Sequence, residues 1–206
     1  MIRNFILERN IQNVYHFTRE DNLESILNMG IVPRTELENK NIHYIYNDGY
    51  RLDGFTNANC CSISFPNYKM FFKYRNENPD VNWAVIELSS DILYNKKCYF
   101  CKGNAASSFV RETPIQLKQG IIGLRNMFLE REGQFTREQM GLPNHYPTDP
   151  QAEVLIFDTI EVDYFKRIIF DNETTANKFR NKYKTKFQFV VDTNFFSARN
   201  DYHFWR

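Results

Sequence analysis

Tyr146-Pro-Thr-Asp-Pro-Gln-Ala-Glu-Val-Leu155 is a proline-stiffened polar loop that turns into the head of an apolar strand. Pro147 and Pro150 forbid regular helix or ladder through the loop. From Ala152 to Phe157 the run is apolar except for one acid, Glu153, at its start. A short apolar run bounded by turn residues reads as a buried strand. Such a strand head carries its first side chain to the rim of the sheet, where a carboxylate is either solvated or delivered into a cleft. The rest of the chain decides between these.

Upstream, residues 12–17 read as a short strand, with His16 near its end. Thr18-Arg-Glu-Asp21 follows the pattern of a helix N-cap with an acid three residues later. Leu23, Ile26 and Leu27 share one helical face, and Gly30 closes that helix. Residues 33–60 are polar and turn-rich, including Asn47-Asp48-Gly49 and Asp53-Gly54, and read as one long loop around Tyr50-Arg51. Long loops in compact domains are usually functional. Cys60–Phe65 reads as a strand stopped by Pro66, Asn67–Arg75 as a helix, and Trp83–Leu88 as a buried strand. Ser90–Tyr94 gives a helical turn, Asn104–Ser108 a small-residue loop, and residues 115–131 mixed helical periodicity. Beyond Glu153, Arg167–Phe170 and Phe187–Val191 read as strands around an amphipathic basic helix, Asn172–Tyr183. Strands, helices and long loops in this order predict an α+β class in one domain spanning residues 1–206.

The bulk composition narrows the function. A 206-residue chain with 42% hydrophobic and 25% charged residues has the balance of a globular domain able to bury a core. A net charge of +1 argues against a strongly basic nucleic-acid binder, so any such contact must come from local patterning. Two stretches qualify. Tyr68–Arg75 interleaves Lys69, Lys73 and Arg75 with Tyr68, Phe71, Phe72 and Tyr74, and Lys178–Lys186 carries five cations and no acid. The second is more often a solvated face than a DNA track. Of the four cysteines, Cys98 and Cys101 form a CxxC, but Cys60 and Cys61 are adjacent, a poor spacing for a zinc site. Reduced buried thiols are expected instead, and no metal. The N-terminal Met-Ile-Arg-Asn-Phe-Ile-Leu-Glu-Arg is too short and charged for a signal peptide, and no apolar run approaches membrane length. A cytoplasmic location and no membrane contact are the corresponding expectations.

Three polar positions stand at strand ends facing long loops: His16, Arg51 and Glu153. Singly, each has an ordinary structural explanation, and spacing does not show that they converge. The blocks around them carry more information. Val14-Tyr-His-Phe-Thr18 with Asp21-Asn-Leu-Glu-Ser-Ile-Leu27, Asn47-Asp-Gly-Tyr-Arg-Leu-Asp-Gly54, Ser62-Ile-Ser-Phe-Pro-Asn-Tyr-Lys-Met-Phe71, Asn104-Ala-Ala-Ser107 and the Tyr146–Leu155 stretch occur in an order that resembles the DarT family. The blocks run from about residue 11 to residue 170, most of the chain.

The resemblance implies an ADP-ribosyltransferase-like fold, two packed and bent β-sheets with an NAD cleft. It implies NAD as cosubstrate, single-stranded DNA as acceptor (thymidine in the first instance), toxin activity, and a DarG-type macrodomain antitoxin that removes the mark. It assigns Glu153 to the developing positive charge on the ribose, as carboxylates act in glycoside hydrolysis, and to the acceptor proton. Arg51 falls to the diphosphate, whose geometry a guanidinium matches. His16, Thr18 and Asn22 match the family's NAD-pocket positions. Transferases of this fold stack nicotinamide on an aromatic ring, for which Tyr68, Phe71 and Phe72 are the candidates. Lys69, Arg75, His145 and Tyr146 are expected to meet the DNA.

Three rival readings stay open on the sequence. An enzyme of the same fold acting on RNA, on protein or on guanine in DNA is the nearest, since Gln151 stands two residues before Glu153, where protein-modifying relatives place an acid or Gln. A binding module without catalysis is opposed by the intact His16, Arg51 and Glu153 set. A zinc-dependent nucleic-acid binder is opposed by the cysteine spacing.

Overall fold

The computed structural model describes residues 1–47 and 50–205. Asp48 and Gly49 of the turn read at Asn47-Asp48-Gly49 lie outside the described residues. Seven strands, β1 (Asn13–Arg19), β2 (Ala58–Ile63), β3 (Trp83–Ser89), β4 (Cys98–Cys101), β5 (Glu153–Phe157), β6 (Phe165–Phe170) and β7 (Phe189–Val191), form one sheet in the order β4-β5-β2-β1-β3-β6-β7. All neighbours run antiparallel except the parallel pair β6 and β7. Helices α1 (Ile2–Glu8), α2 (Glu20–Met29), α3 (Arg34–Asn39), α4 (Tyr68–Glu77), α5 (Ile92–Asn95), α6 (Ser108–Arg111), α7 (Gly120–Asn126) and α8 (Glu173–Tyr183) surround it.

The two expected sheets are here one, joined through β2. Its first part, Ala58–Cys61, pairs with β5, while Ser62 and Ile63 pair with Tyr15 and Val14 of β1. One short strand therefore belongs to both halves, and it carries the chain from the Arg51 loop past the head of β5.

Both sheet faces are covered, which explains why β3 and β5 read as continuous apolar runs. Ala84, Ile86 and Leu88 enter the main core with Val154 and Ile156. Trp83 and Val85, on the opposite face, join Tyr15, Phe71, Ile169 and Phe196 in an aromatic cluster. Leu155 and Phe157 face a third cluster with Tyr99, Cys101 and Val110.

Several local readings change. Thr18 is not a helix cap: it stays in β1, opposite Ala84, and Arg19 precedes α2 without a side-chain capping bond. Strand pairing takes the backbone that the cap pattern claimed. Gly30 does close α2, at φ 84°, and a Cβ there would meet the Ile160 carbonyl at 2.3 Å, because Ile31 bridges to Ile160. The long loop contains α3. Neither α1 nor β4 was anticipated; the Cys98–Cys101 segment is an edge strand.

Candidate active site

Glu153 is 4% exposed and opens β5 opposite Cys101. Its two oxygens are held separately. The Ala105 amide donates to Oε2 at 2.8 Å, and Asn67 Nδ2 donates to Oε1 at 3.3 Å. Asn67 itself is 1% exposed, and its Oδ1 caps α4 by accepting from the Met70 amide at 3.2 Å. The carboxylate is thus fixed by a helix cap on one side and a small-residue loop on the other. Burial pushes the Glu153 carboxyl up to about 7; the Ala105 and Asn67 hydrogen bonds and Arg51 pull against it, and Asp53 adds to the rise.

Glu153 lies on the floor of a cleft of about 1300 Å³ including its open mouth. His16, Thr18, Asn22, Arg51 and Asn67 share that cleft, so the structure brings the three strand-end candidates together. His16 Nδ1 lies 2.9 Å from the Cys60 carbonyl. A carbonyl only accepts, so Nδ1 carries the proton and Nε2 presents a lone pair. Burial lowers the His16 pKa, which favours this neutral form. Thr18 Oγ1 accepts from Asn22 Nδ2 at 3.2 Å, leaving the hydroxyl proton to donate. Asn22 also pairs with both backbone groups of Ile45, at 2.7 and 2.9 Å, as a strand neighbour would. It ties the 40–47 loop against the cleft.

Arg51 sits at φ 42° in the left-handed region, rare for a residue with a Cβ. Its guanidinium grips Asp53 at 3.0 and 3.2 Å and donates to the carbonyls of Ala58, at 3.0 Å, and Phe55. These bonds fold the loop onto the start of β2 and hold the cation at the cleft wall.

The other expected residues divide. Tyr68 and Phe72 do not line the cleft, correcting their assignment to the NAD pocket: Tyr68 is buried near Asp201, Arg199 and Asp149, and Phe72 is 56% exposed. Phe71 packs in the aromatic cluster. Met70 and Tyr74, four residues apart on one helical face, line the cleft instead. Lys69 donates to the Trp205 carbonyl and Arg75 to that of Phe196, with the Arg75 guanidinium 4.8 Å from the Phe71 ring centre. Both cations are tethers to segment 193–205, so of the basic-aromatic face expected along Tyr68–Arg75 only Phe72 and Lys73 are exposed to solvent. His145 and Tyr146 are half-buried beside the site; Ser64 Oγ donates to the His145 carbonyl at 2.8 Å, and the Tyr146 ring lies 6.1 Å from that of Phe65. The basic run in α8 is paired with acids: Lys178 with Glu20 and Lys182 with Glu24 of α2, and Arg180 with Glu173 of α8 itself.

Among the described residues no group of three or more His, Cys, Asp and Glu is arranged to hold a metal ion. Burial pushes Cys98 and Cys101 up to about 12 and raises Cys60 and Cys61 as well. No helix among the described residues is long and apolar enough to cross a membrane.

Sequence reasoning missed Asn67 and the Ala105 amide as holders of the carboxylate. Asn67 follows a proline and opens a helix, a capping signal that places it locally. Nothing local announces its second bond, to a residue 86 positions away.

The fold matches Thermosipho africanus DarTG in complex with ADP-ribose at TM-score 0.63 and 20% identity, covering 92% of this chain and 52% of that one. Thermus sp. 2.9 DarT in complex with NAD+ matches at TM-score 0.56 and 10% identity, over 90% of this chain and 97% of that one. The same protein in complex with ADP-ribosylated ssDNA matches at 0.54 and 10%, over 90% and 96%. The chain spans about half the length of the Thermosipho africanus DarTG chain. No curated protein sequence matches. The likeness to these structures is one of fold. Residues 15–197 match the family described as ssDNA thymidine ADP-ribosyltransferase, DarT. The chain belongs to that family.

Proposed function

We propose that this chain, as one domain, transfers ADP-ribose from NAD to a thymidine base of single-stranded DNA and releases nicotinamide. The observation that carries the reading is the doubly held Glu153 carboxylate on the floor of the cleft, in a chain that matches the DarT family over residues 15–197. The Thermus sp. 2.9 relative in complex with NAD+ and with ADP-ribosylated ssDNA supports both substrates.

The cleft suits NAD: apolar side chains such as Phe17, Ile26 and Leu37 alternate in its lining with polar ones such as His16, Thr18, Asn22 and Arg51. His16 Nε2 accepts from a ribose hydroxyl, Thr18 donates to a neighbouring oxygen, and Asn22 keeps the 40–47 loop in place over them. Arg51 sits where its charge meets the diphosphate, and Tyr74 with Met70 offers an apolar wall for the nicotinamide. As the C1′–N bond to nicotinamide breaks, its electron pair leaves with the nicotinamide. The base nitrogen supplies the pair for the new C1′–N bond. Glu153 faces the positive charge that develops on the ribose and accepts the proton the base gives up. A preorganised carboxylate in a dry site is worth far more than one in water.

His145 and Tyr146, beside the cleft, are assigned to the acceptor strand, with Lys69 and Arg75 shaping that side through their tethers. An unpaired base presents its ring nitrogen without first breaking a duplex. The family context supports reading the protein as a cytoplasmic toxin countered by a DarG-type macrodomain antitoxin, in keeping with the DarTG name of the Thermosipho relative.

Incubation with NAD and matched single-stranded DNA, duplex DNA and RNA oligonucleotides, read by mass spectrometry, tests the reading. An ADP-ribose adduct on thymidine of single-stranded DNA is expected. Preferential modification of RNA, or of the enzyme itself, contradicts it.

A further inference from the structure

Residues 198–205 lie beyond the stretch that matches the family, yet they contain one of the most buried ion pairs of the molecule. Arg199 is 4% exposed and Asp201 2%. Nε and Nη2 of Arg199 donate to the two carboxylate oxygens of Asp201, each at 2.6 Å. The same guanidinium reaches the loop ahead of Glu153: Nη1 donates to the Pro147 carbonyl and Nη2 to that of Thr148, both at 3.1 Å. Its plane lies 5.2 Å from the centre of the Tyr146 ring. Asp201 is fixed in turn by Trp205, whose Nε1 donates to Oδ2 at 2.7 Å.

This arrangement is poorly explained as a device for stability. A buried ion pair costs desolvation that its attraction only offsets, and an apolar pair of similar volume often does as well. What an apolar pair does not supply is direction. Two successive carbonyls of a proline-interrupted loop point inward at Pro147 and Thr148, where no strand or helix satisfies them. A guanidinium already locked by a carboxylate presents its remaining N–H groups at fixed angles. Tyr146 then has the Arg199 guanidinium over its ring and the Phe65 ring tilted against it, with His145 edge-on to it at 4.8 Å.

We propose that Arg199, oriented by Asp201 and Trp205, is a positioning residue that sets His145 and Tyr146 for the acceptor strand. This deepens the proposed function and rests on its reading that single-stranded DNA is the acceptor. On the NAD side of the cleft, His16, Thr18, Asn22 and Arg51 stand on β1, α2 and the Arg51 loop, which the hydrogen bonds of the pair do not reach, while α4, with Met70 and Tyr74, meets this segment through Lys69 and the main-chain carbonyl of Trp205, which neither substitution below removes. The latch therefore governs use of the acceptor and leaves NAD binding alone.

The test is steady-state transfer to a thymine-containing single-stranded oligonucleotide by the wild type, Arg199→Lys and Trp205→Phe, with NAD affinity and melting temperature measured on each. Lysine keeps the charge but not the fork, so Arg199→Lys raises the KM for the oligonucleotide about tenfold while the NAD Kd stays within about twofold. Trp205→Phe, which keeps an aromatic ring of smaller size and removes one hydrogen bond to Asp201, raises the KM about threefold. Should Arg199→Lys fail to fold, Trp205→Phe decides. An active wild type with both variants unchanged, or with NAD affinity falling in step with oligonucleotide use, overturns the latch and leaves the proposed function standing. A wild type that modifies no single-stranded DNA overturns the acceptor reading and the latch together.

Discussion

Asn67 Nδ2 donates to Glu153 Oε1 across 3.3 Å while the other end of the same amide caps α4. One side chain thereby sets both the start of a helix and the aim of the carboxylate. Asn67→Ala removes a cap worth about 1 kcal/mol and frees one carboxylate oxygen, so transfer falls by about ten- to a hundredfold. Asn67→Asp is the sharper probe. A second carboxylate beside Glu153 raises its pKa further, so the activity profile shifts to higher pH. A pH–rate profile of the two variants separates the effects.

Burial has already raised Glu153 to about 7, above the value of about 4.3 expected in the unfolded chain. Between these values the folded state holds a proton that the unfolded state has released. Stability therefore falls as pH rises through this window and levels off above it. Glu153→Gln removes the burden of the buried charge: its melting temperature exceeds that of the wild type at about pH 8, and the gap closes toward about pH 5. Transfer by the wild type rises with pH through about 7 as the carboxylate forms. Thermal melts across this range, with parallel rates, check both.

Arg51 spends much of its fork on Asp53 and the carbonyls of Phe55 and Ala58. Arg51→Ala thus opens the loop as well as removing a cation, and NAD affinity falls by about 1.5–3 kcal/mol. Asp53→Asn keeps the cation but loosens its hold, with a smaller loss. Calorimetric titration with NAD ranks the two, and an unchanged Kd in Arg51→Ala removes Arg51 from the NAD site.

The cysteines are raised by burial, Cys98 and Cys101 to about 12. The thiolate is the reactive form, so the folded protein takes up little alkylating reagent at about pH 8 and reacts fully once denatured. Dialysis against a strong chelator leaves transfer unchanged. Mass spectrometry of labelled protein reads the first outcome and an activity assay the second.

Much of the scaffold was legible because its signals are local. The apolar runs of β3 and β5, the Gly30 helix end and the Asn172–Tyr183 helix each follow from periodicity and turn chemistry within a few residues. Thr18 misled because β-pairing with Ala84 outweighed a capping pattern. Of the site, the residue types were readable at His16, Arg51 and Glu153, while their convergence came from β2 passing between the two halves of the sheet. The Tyr68–Arg75 stretch looked like an open basic-aromatic face, but Lys69 and Arg75 end on carbonyls of a segment more than a hundred residues away. Contacts of that range leave no trace in spacing.

The central claim is that Glu153 carries the transfer of ADP-ribose to single-stranded DNA. Its most direct test compares wild type and Glu153→Ala, each with NAD and a thymine-containing single-stranded oligonucleotide, by mass spectrometry of the oligonucleotide together with calorimetry of NAD binding. The account predicts an ADP-ribose adduct on thymidine with the wild type and a loss of several orders of magnitude in Glu153→Ala, about that expected when the main electrostatic contribution is removed, with NAD binding retained. Comparable adduct formation by Glu153→Ala, or none by the wild type, contradicts it.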